Sequence, residues 1–153
     1  MTDEELAEKR RRRATMSLAE QIAESALERC VHFNGTTNAR CKAGVSYFGV
    51  IDHARSYPEE RFPCFREGPV TCDKLRFPTQ EEAEEKGRIA EERSAQFSRA
   101  LGAVIEHAGG RKGIKGALPC PCCEGGELSY SVAGNNGHIH ARCSTQGCVQ
   151  WMQ

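Results

Sequence analysis

Apolar residues are sparse but periodic in the amino-terminal part of this 153-residue chain. Segment 3–29 is expected to be helical, because its few apolar positions fall at the spacing of one helix face. Those positions are Leu18, Ile22, Ala26 and Leu27. Two stretches, Thr2–Glu5 and Ser17–Glu20, have the residue types and spacing of capping boxes. The first half of the segment offers only Leu6 for burial, so we expect it to be solvated.

The longest helical pattern covers residues 79–108. Thr79 and Glu82 form a further capping box, and Gly109 and Gly110 are expected to end the helix. Polar residues surround its first half, whereas its apolar stripe develops late, at Ile89, Ala90, Phe97, Leu101, Val104 and Ile105. The helix is therefore expected to pack at its carboxyl-terminal end, or to pair with the amino-terminal helix.

Apolar and polar residues alternate in residues 128–132 and again in 138–142, which is the pattern of half-buried strands. The sequence GNNG between them, at 134–137, is a strong turn signal. Together the three segments predict a β-hairpin. Residues 45–51, VSYFGVI, suggest a further short strand, and the rest of 30–78 is expected to be irregular.

These elements predict a small α+β protein. Residues 1–29 would form the amino-terminal helix, and 30–108 a cysteine-rich, metal-stabilised module that includes the long helix. Residues 109–118, GGRKGIKGAL, are expected to be a basic, glycine-rich linker. It would separate that module from a carboxyl-terminal hairpin module at 119–153.

Nine cysteines in a chain of this length call for an explanation. A secreted protein would use them in disulfides, and an intracellular one more often as metal ligands. The amino terminus lacks the apolar core of a signal peptide, and no run of 18 apolar residues is present. We therefore expect a cytoplasmic protein with reduced thiols and no membrane partner.

Two cysteine pairs flank the predicted hairpin, and folding would bring them together at its open end. Cys120 and Cys123 precede it as C-x2-C, and Cys143 and Cys148 follow it as C-x4-C. Segments under about 40 residues rarely fold by burial alone, whereas four thiolates on zinc contribute about 10–16 kcal/mol. The expected site is closed and structural. Cys122 is expected to be spare, because C-x-C makes a poorer ligand pair.

A metal-free hairpin and a redox role for the sequence CPCC remain as alternatives at this site. The surroundings lack the βαβ pattern that accompanies a thioredoxin-like redox motif. His138 or His140 could replace a cysteine ligand, although contact with solvent or a bound partner is the expected role of both. Neither histidine is followed by the glutamate of the H-x-E pattern found in zinc deaminases.

The arrangement of residues 120–148 resembles the zinc ribbon family, with a CPxC knuckle, a following glycine, a two-stranded hairpin and a second cysteine pair. The C-x4-C pair is wider than the common C-x2-C. The resemblance implies zinc and a binding role, toward either nucleic acid or protein. Segments 30–82 and 118–152 are also similar to small cysteine-rich proteins of tailed phages and prophages, which implies a bacterial host cytoplasm.

Four further cysteines lie in a segment rich in proline and glycine and poor in core residues, at Cys30, Cys41, Cys64 and Cys72. A second four-sulfur site is the economical explanation. Zinc and an iron–sulfur cluster both accept four thiolates, so the spacing leaves either open, as well as no metal. His32 could substitute for a ligand, but a histidine so placed is more often a neighbour of the site or a surface residue.

The formal net charge of zero gives no general argument for nucleic acid binding, so any such argument depends on local patches. The candidate contacts are Arg10, Arg11, Arg12 and Arg13 in one basic run, with His138, His140, Arg142 and Trp151 near the hairpin. Cationic side chains bind phosphate, and an aromatic ring stacks on an unpaired base. Equally, acidic neighbours make the basic run typical of a solvated helix, and Trp151 would ordinarily pack on its own hairpin.

A protein-docking module or inhibitor acting on a host protein is the alternative function, with the polar helix and the rigid hairpin as its recognition surface. An iron–sulfur redox or sensing protein is a second alternative. The sequence shows no paired acid and base, no Ser/His/Asp set and no phosphate-cradling loop. We therefore predict no catalytic residue.

Overall fold

The computed structural model describes residues 2–33, 41–44, 64 and 72–152. Within these residues the protein is a small α+β fold with three helices followed by one four-stranded antiparallel sheet, which confirms the predicted class. The strand predicted at 45–51 lies outside the described residues. The chain divides into two compact units, Met1–Ala90 and Glu91–Gln153.

Two helices replace the single amino-terminal helix that was predicted. Helix α1 covers Asp3–Thr15, and helix α2 covers Leu18–Leu27. Between them the backbone of Met16 is extended, with φ −82° and ψ 143°. The single-helix prediction is wrong because an N-cap residue must itself be extended. Ser17 is such a cap, so its capping box marks a helix start.

In the first unit, α2 packs against the beginning of helix α3, which covers Gln80–Ala108. The buried cluster consists of small residues, namely Ala23, Ala26 and Ala83. A Cβ added at Gly87 would lie 2.2 Å from the carbonyl oxygen of Ala19. The two helices therefore lie in such close contact at this point that a side chain has no room.

Helix α3 begins at the predicted capping box. The Glu82 N–H donates to the Thr79 hydroxyl at 3.2 Å, and the Thr79 N–H donates to the Glu82 carboxylate at 2.9 Å. The guanidinium of Arg76 also donates to that carboxylate at 2.9 Å. The hydrogen bond from Arg76, followed by the one from Thr79, lowers the pKa of Glu82 below its usual value.

In the second unit the four strands pair antiparallel in chain order. They are β1 (Ile114–Pro119), β2 (Glu127–Val132), β3 (Ile139–Cys143) and β4 (Gln150–Trp151). The hairpin predicted from alternation is formed by β2 and β3. Strands β1 and β4 extend it on either side, and neither had been predicted.

Most of β1 lies in the segment that was predicted to be a linker. Its residues alternate between half-buried and exposed, and it pairs with β2 from Ile114 opposite Val132 to Pro119 opposite Glu127. Gly116 is required in this strand, because an added Cβ would lie 2.6 Å from the Tyr130 hydroxyl. The linker prediction is therefore wrong for residues 114–118, where glycine makes room for a ring on the neighbouring strand.

The second half of α3 covers one face of the sheet. Its buried residues meet those of the strands in one core, made of Ala100, Val104, Ala108, Cys120, Leu128, Tyr130, Val132, Ile139, Ala141, Cys143 and Val149. His107 Nδ1 lies 2.9 Å from the Tyr130 hydroxyl. Gly109 and Gly110, with φ of 58° and 75°, end the helix as predicted. In the described segments, every helix is too short or too polar to traverse a lipid bilayer.

Candidate metal centre

Four cysteine thiols meet at one end of the sheet. The Sγ atoms of Cys120, Cys123, Cys143 and Cys148 all lie within 4.8 Å of one another. Cys120 and Cys148 are 3.7 Å apart, and Cys123 and Cys143 are 3.6 Å apart. A tetrahedral zinc site with Zn–S bonds of about 2.3 Å has S···S edges of about 3.8 Å. The spacing therefore suits a metal ion held by four sulfurs.

The sulfur spacing does not suit disulfides. An S–S bond measures about 2.05 Å, well short of both distances. None of the nine cysteines, all of which lie in the described part of the chain, is in a disulfide. Thiols held this close without a bond between them could hold a metal ion.

The ends of three strands position these thiols. Cys120 directly follows β1, and its N–H donates to the Gly126 carbonyl at 2.8 Å. Cys143 is the last residue of β3, where it pairs with Leu128 and donates its N–H to the Val149 carbonyl at 2.9 Å. The open end of the predicted hairpin thus carries the cysteine pairs, with β1 as the support that sequence reasoning missed.

Small and polar groups surround the sulfurs. The Thr145 N–H donates to Cys143 Sγ at 3.4 Å, and the Cys123 thiol donates to the Thr145 hydroxyl at 3.4 Å. A Cβ at Gly126 would lie 2.5 Å from Cys123 Sγ and 2.9 Å from Cys143 Sγ. The ribbon-like pattern includes a glycine after the CPxC knuckle, and at Gly126 the close approach to two sulfurs explains why a side chain would not fit.

The thiols influence each other's ionisation. Burial acts to raise the pKa of Cys143, but hydrogen bonds from the Thr145 N–H and from the neighbouring thiols outweigh it and lower the pKa to about 7. Burial, reinforced by the same thiol contacts, raises the pKa of Cys148 to about 12. Burial also raises the pKa of Cys120. Burial therefore opposes ionisation of Cys120 and Cys148, and a bound cation would offset this cost.

Cys122 lies outside this group. Its half-buried thiol donates to the main-chain carbonyl of Gln96, on α3, at 3.3 Å. His138 and His140 are also outside the group. His138 is exposed in the turn before β3, where its N–H donates to the Asn136 side chain at 3.1 Å. His140 lies within β3, two residues further along.

The face of the sheet turned away from the core is polar and basic. Strand register places Lys115, Ser131 and His140 in one row across three strands, and Ser129, Arg142 and Gln150 in the next. A shallow groove runs over both rows. His140 and Arg142, which were predicted as contact residues, thus share one surface with Lys115, which was not singled out.

Trp151 is on the other face, because it pairs with the buried residue Ala141. Its ring is half-buried and meets the ring of Phe97 edge to face, with centroids 5.2 Å apart. The contact fixes β4 to α3. Trp151 is therefore not on the basic surface with His140 and Arg142.

The basic run predicted as a second contact segment lies on α1, where carboxylates accompany it. Arg11 pairs with Glu8 at 2.6 Å, and both Arg12 and Arg13 pair with Glu24. Arg10 is exposed on the same helix. The carboxylates of Glu8 and Glu24 thus partly neutralise the positive charge of this run.

The amino-terminal cysteines are less closely grouped. Cys30 and Cys64 are buried, and Cys41 and Cys72 are half-buried. Across the residues that the structure describes, the carboxyl-terminal group alone meets the 4.8 Å spacing. The side chains of the four amino-terminal cysteines are not arranged as tightly.

Comparisons of the chain with protein-family models, with curated proteins and with solved structures gave no match. The resemblances to zinc ribbons and to phage proteins therefore stay predictions.

Proposed function

We propose that this protein is a zinc-binding accessory protein that binds nucleic acid through the exposed face of its sheet. The observation that carries the proposal is the row of polar and cationic side chains across that face, on strands whose ends hold the four-cysteine group. The metal would fix the strands, and the strands would present the cations.

Zinc is the proposed metal because the donor set is four thiolates at tetrahedral spacing. Sulfur ligands in this geometry favour zinc or iron–sulfur centres over calcium and magnesium, which take oxygen ligands. Four protein ligands leave no open position for a substrate, so the ion would be structural. When bound, zinc supplies the charge that neutralises the thiolates and links the ends of β1, β2 and β3.

The basic surface suits phosphates. Lys115, His140 and Arg142 lie across neighbouring strands, and hydroxyl groups of Ser129 and Ser131 lie between them. Lysine and arginine neutralise phosphates, and serine hydroxyls donate to phosphate oxygens. On the described strands, the carboxylate of this face is Glu127, at the metal-bearing end.

The mode of binding follows from where the aromatic rings lie. In the four strands, all of which are described, the aromatic residues Tyr130 and Trp151 belong to the core side. Single-strand binding proteins stack bases on exposed rings, and this face offers none. We therefore propose contact with the phosphate backbone, without sequence readout. The arginines of α1 would have a smaller share, because three of them face carboxylates.

The test is the salt dependence of binding to a fluorescent 20-base-pair duplex. Wild-type affinity should fall steeply with salt, since each neutralised phosphate releases about 0.9 counterions. The double variant Lys115→Glu with Arg142→Glu should bind at least about tenfold more weakly and show a shallower salt slope. The matched control is Arg99→Glu, at an exposed site on α3. It should change neither the affinity nor the salt slope.

Two results would overturn the proposal. One is equal affinity of wild type and the double variant, measured with the metal content of both confirmed. The other is a failure to bind duplex or single-stranded DNA and RNA at low salt. Co-purification of one defined protein that survives nuclease treatment would favour the protein-docking function instead.

A further inference from the structure

We propose a second metal site in the amino-terminal unit, formed by the thiolates of four cysteines. The ligands are Cys30, Cys41, Cys64 and Cys72. The site is independent of the carboxyl-terminal group and of nucleic acid binding. It follows from how the backbone of residues 30–33 gathers the other three cysteine segments.

Residues 30–33 bond to every segment that carries one of the other cysteines. The Cys30 N–H donates to the Cys64 carbonyl at 2.7 Å. The Lys42 N–H, next to Cys41, donates to the His32 carbonyl at 2.9 Å. The Val31 N–H donates to the Arg76 carbonyl at 2.8 Å, beside the turn that begins at Cys72. Cysteines separated by long stretches of sequence are therefore brought to one place by main-chain bonds.

Three of the four cysteines open a tight turn. The carbonyl of Cys30 accepts from Phe33, that of Cys41 from Gly44, and that of Cys72 from Leu75, each at 3.0 Å. Each of these three cysteines therefore begins a compact turn that a main-chain hydrogen bond closes.

The turn at Cys41 also reproduces features of the carboxyl-terminal site. The Ala43 N–H donates to Cys41 Sγ at 3.3 Å, as the Thr145 N–H does to Cys143 Sγ at 3.4 Å. A left-handed glycine lies three residues after Cys41, at Gly44 with φ 79°, and another lies four residues after Cys143, at Gly147 with φ 77°. The turn at Cys41 therefore shares with the carboxyl-terminal site a backbone N–H directed at a cysteine sulfur.

The composition of the local core points the same way. The fully buried members of this cluster are Cys30 and Cys64, each 6% exposed, and Phe33, Cys41 and Leu75 pack against them. Reduced cysteines do act as small hydrophobic residues, but so small a cluster buries little apolar surface. Binding of a shared metal would require the thiols to approach one another, and the single side-chain torsion of each cysteine allows its Sγ to move.

Metal analysis of the full-length chain tests the proposal. The protein is purified anaerobically without chelators, and zinc, iron and acid-labile sulfide are measured per chain together with the visible spectrum. Two zinc ions per chain without colour would support the site with zinc in it. One zinc ion with iron and sulfide would support it with an iron–sulfur cluster. One metal ion per chain and no sulfide would overturn it.

Variants assign the metal to its ligands. Cys30→Ser combined with Cys72→Ser should remove one of the two metal centres and leave the other. Cys120→Ser combined with Cys148→Ser should remove the other one. Cys122→Ser is the matched control and should keep both, because its thiol bonds to a main-chain carbonyl. Retention of both centres in the Cys30/Cys72 variant would contradict the proposal.

Alkylation of the wild-type protein gives an answer even where a variant fails to fold. Cys41 and Cys72 are half-buried, so burial alone would leave them reactive. Metal-bound, they should be protected, and a chelator should raise their labelling at least tenfold, as read by mass spectrometry. Full labelling of these two cysteines before any chelator is added would overturn the proposal, whatever the state of the carboxyl-terminal site.

Discussion

The Sγ atoms of Cys120 and Cys148 lie 3.7 Å apart, although 28 positions of sequence separate the two residues. One follows β1 and the other precedes β4, so this pair joins the two edges of the sheet across the hairpin between them. The outer strand β4 has only two residues, whereas β1 has six. The four-cysteine group is therefore where the sheet is held together, and its metal should decide whether the sheet forms.

Removing the metal should unfold the sheet unit. Structural zinc contributes about 10–16 kcal/mol of apparent binding free energy in small zinc domains, which is comparable to the whole stability of a typical domain, about 5–15 kcal/mol. Chelation should expose Trp151, the single tryptophan of the chain, whose ring is packed on Phe97. The fluorescence of Trp151 should shift to the red, and the backbone amide protons of the sheet unit should exchange freely.

Cys120→Ser together with Cys148→Ser should show the same fluorescence change without a chelator. The matched control is Cys122→Ser, which should retain the wild-type spectrum. A metal-free sample that keeps the wild-type fluorescence and amide protection would contradict a structural role for the metal.

Metal affinity should fall as the pH falls. In the metal-free protein Cys148, with a pKa of about 12, carries its proton at neutral pH, so binding must release that proton at any physiological pH. Cys120, whose pKa is raised by burial, also releases a proton on binding. Cys143, with a pKa of about 7, carries a proton mainly below neutrality and adds a further released proton there. The affinity should therefore fall about tenfold per pH unit for each proton released, more steeply below pH 7.

The measurement is competition for zinc with a chromophoric chelator between pH 8 and pH 5, corrected for the chelator's own protonation. The slope of log affinity against pH should increase below pH 7. A slope of zero across this range would mean that thiols are not the ligands.

Gly126 should be intolerant of a side chain. Alanine there would place its Cβ 2.5 Å from Cys123 Sγ, so the knuckle must move and the sulfurs lose their spacing. Changes beside metal ligands typically weaken affinity about 10–100-fold, and we expect Gly126→Ala to fall in that range. Gly134→Ala is the control, because its nearest neighbour is 3.7 Å away. Equal zinc affinities of the two variants would show that the knuckle accommodates a side chain at residue 126 without displacing the cysteine sulfurs.

Local chemistry made several features predictable from the sequence. The Thr79 capping box, the glycines after Ala108 and the GNNG turn each depend on residues close together in the chain, and the structure has a helix start, a helix end and a turn at these places. The alternation in β2 and β3 likewise records which side chains face the core. The cysteine pairs could be grouped because they flank that one hairpin.

What the sequence did not predict depends on contacts between distant residues. Strand β1 was hidden because Gly116 looks like part of a linker until Tyr130 is seen opposite it. Trp151 could be placed only once its partner Phe97 was known. The predicted set of basic contact residues lacked Lys115 for the same reason, because only the pairing of β1 with β2 places Lys115 on this face.

Replacing each of the two glycines of α3 with alanine should change the stability of the protein in opposite directions. At Gly102 nothing lies within 4 Å of an added Cβ, so Gly102→Ala should stabilise the protein by about 0.5–1 kcal/mol through the higher helix propensity of alanine. At Gly87 the Cβ would meet the Ala19 carbonyl oxygen at 2.2 Å. Separating α2 from α3 should outweigh the propensity gain and destabilise the first unit by about 1–3 kcal/mol.

Urea unfolding of the metal-loaded protein, followed by far-ultraviolet circular dichroism, measures both effects, and amide exchange at Ala23 and Ala26 reports on the α2–α3 contact alone. Each variant is the control for the other, because both make the same chemical change on one helix. If Gly87→Ala stabilised the protein as much as Gly102→Ala, the close contact between α2 and α3 would not exist in solution.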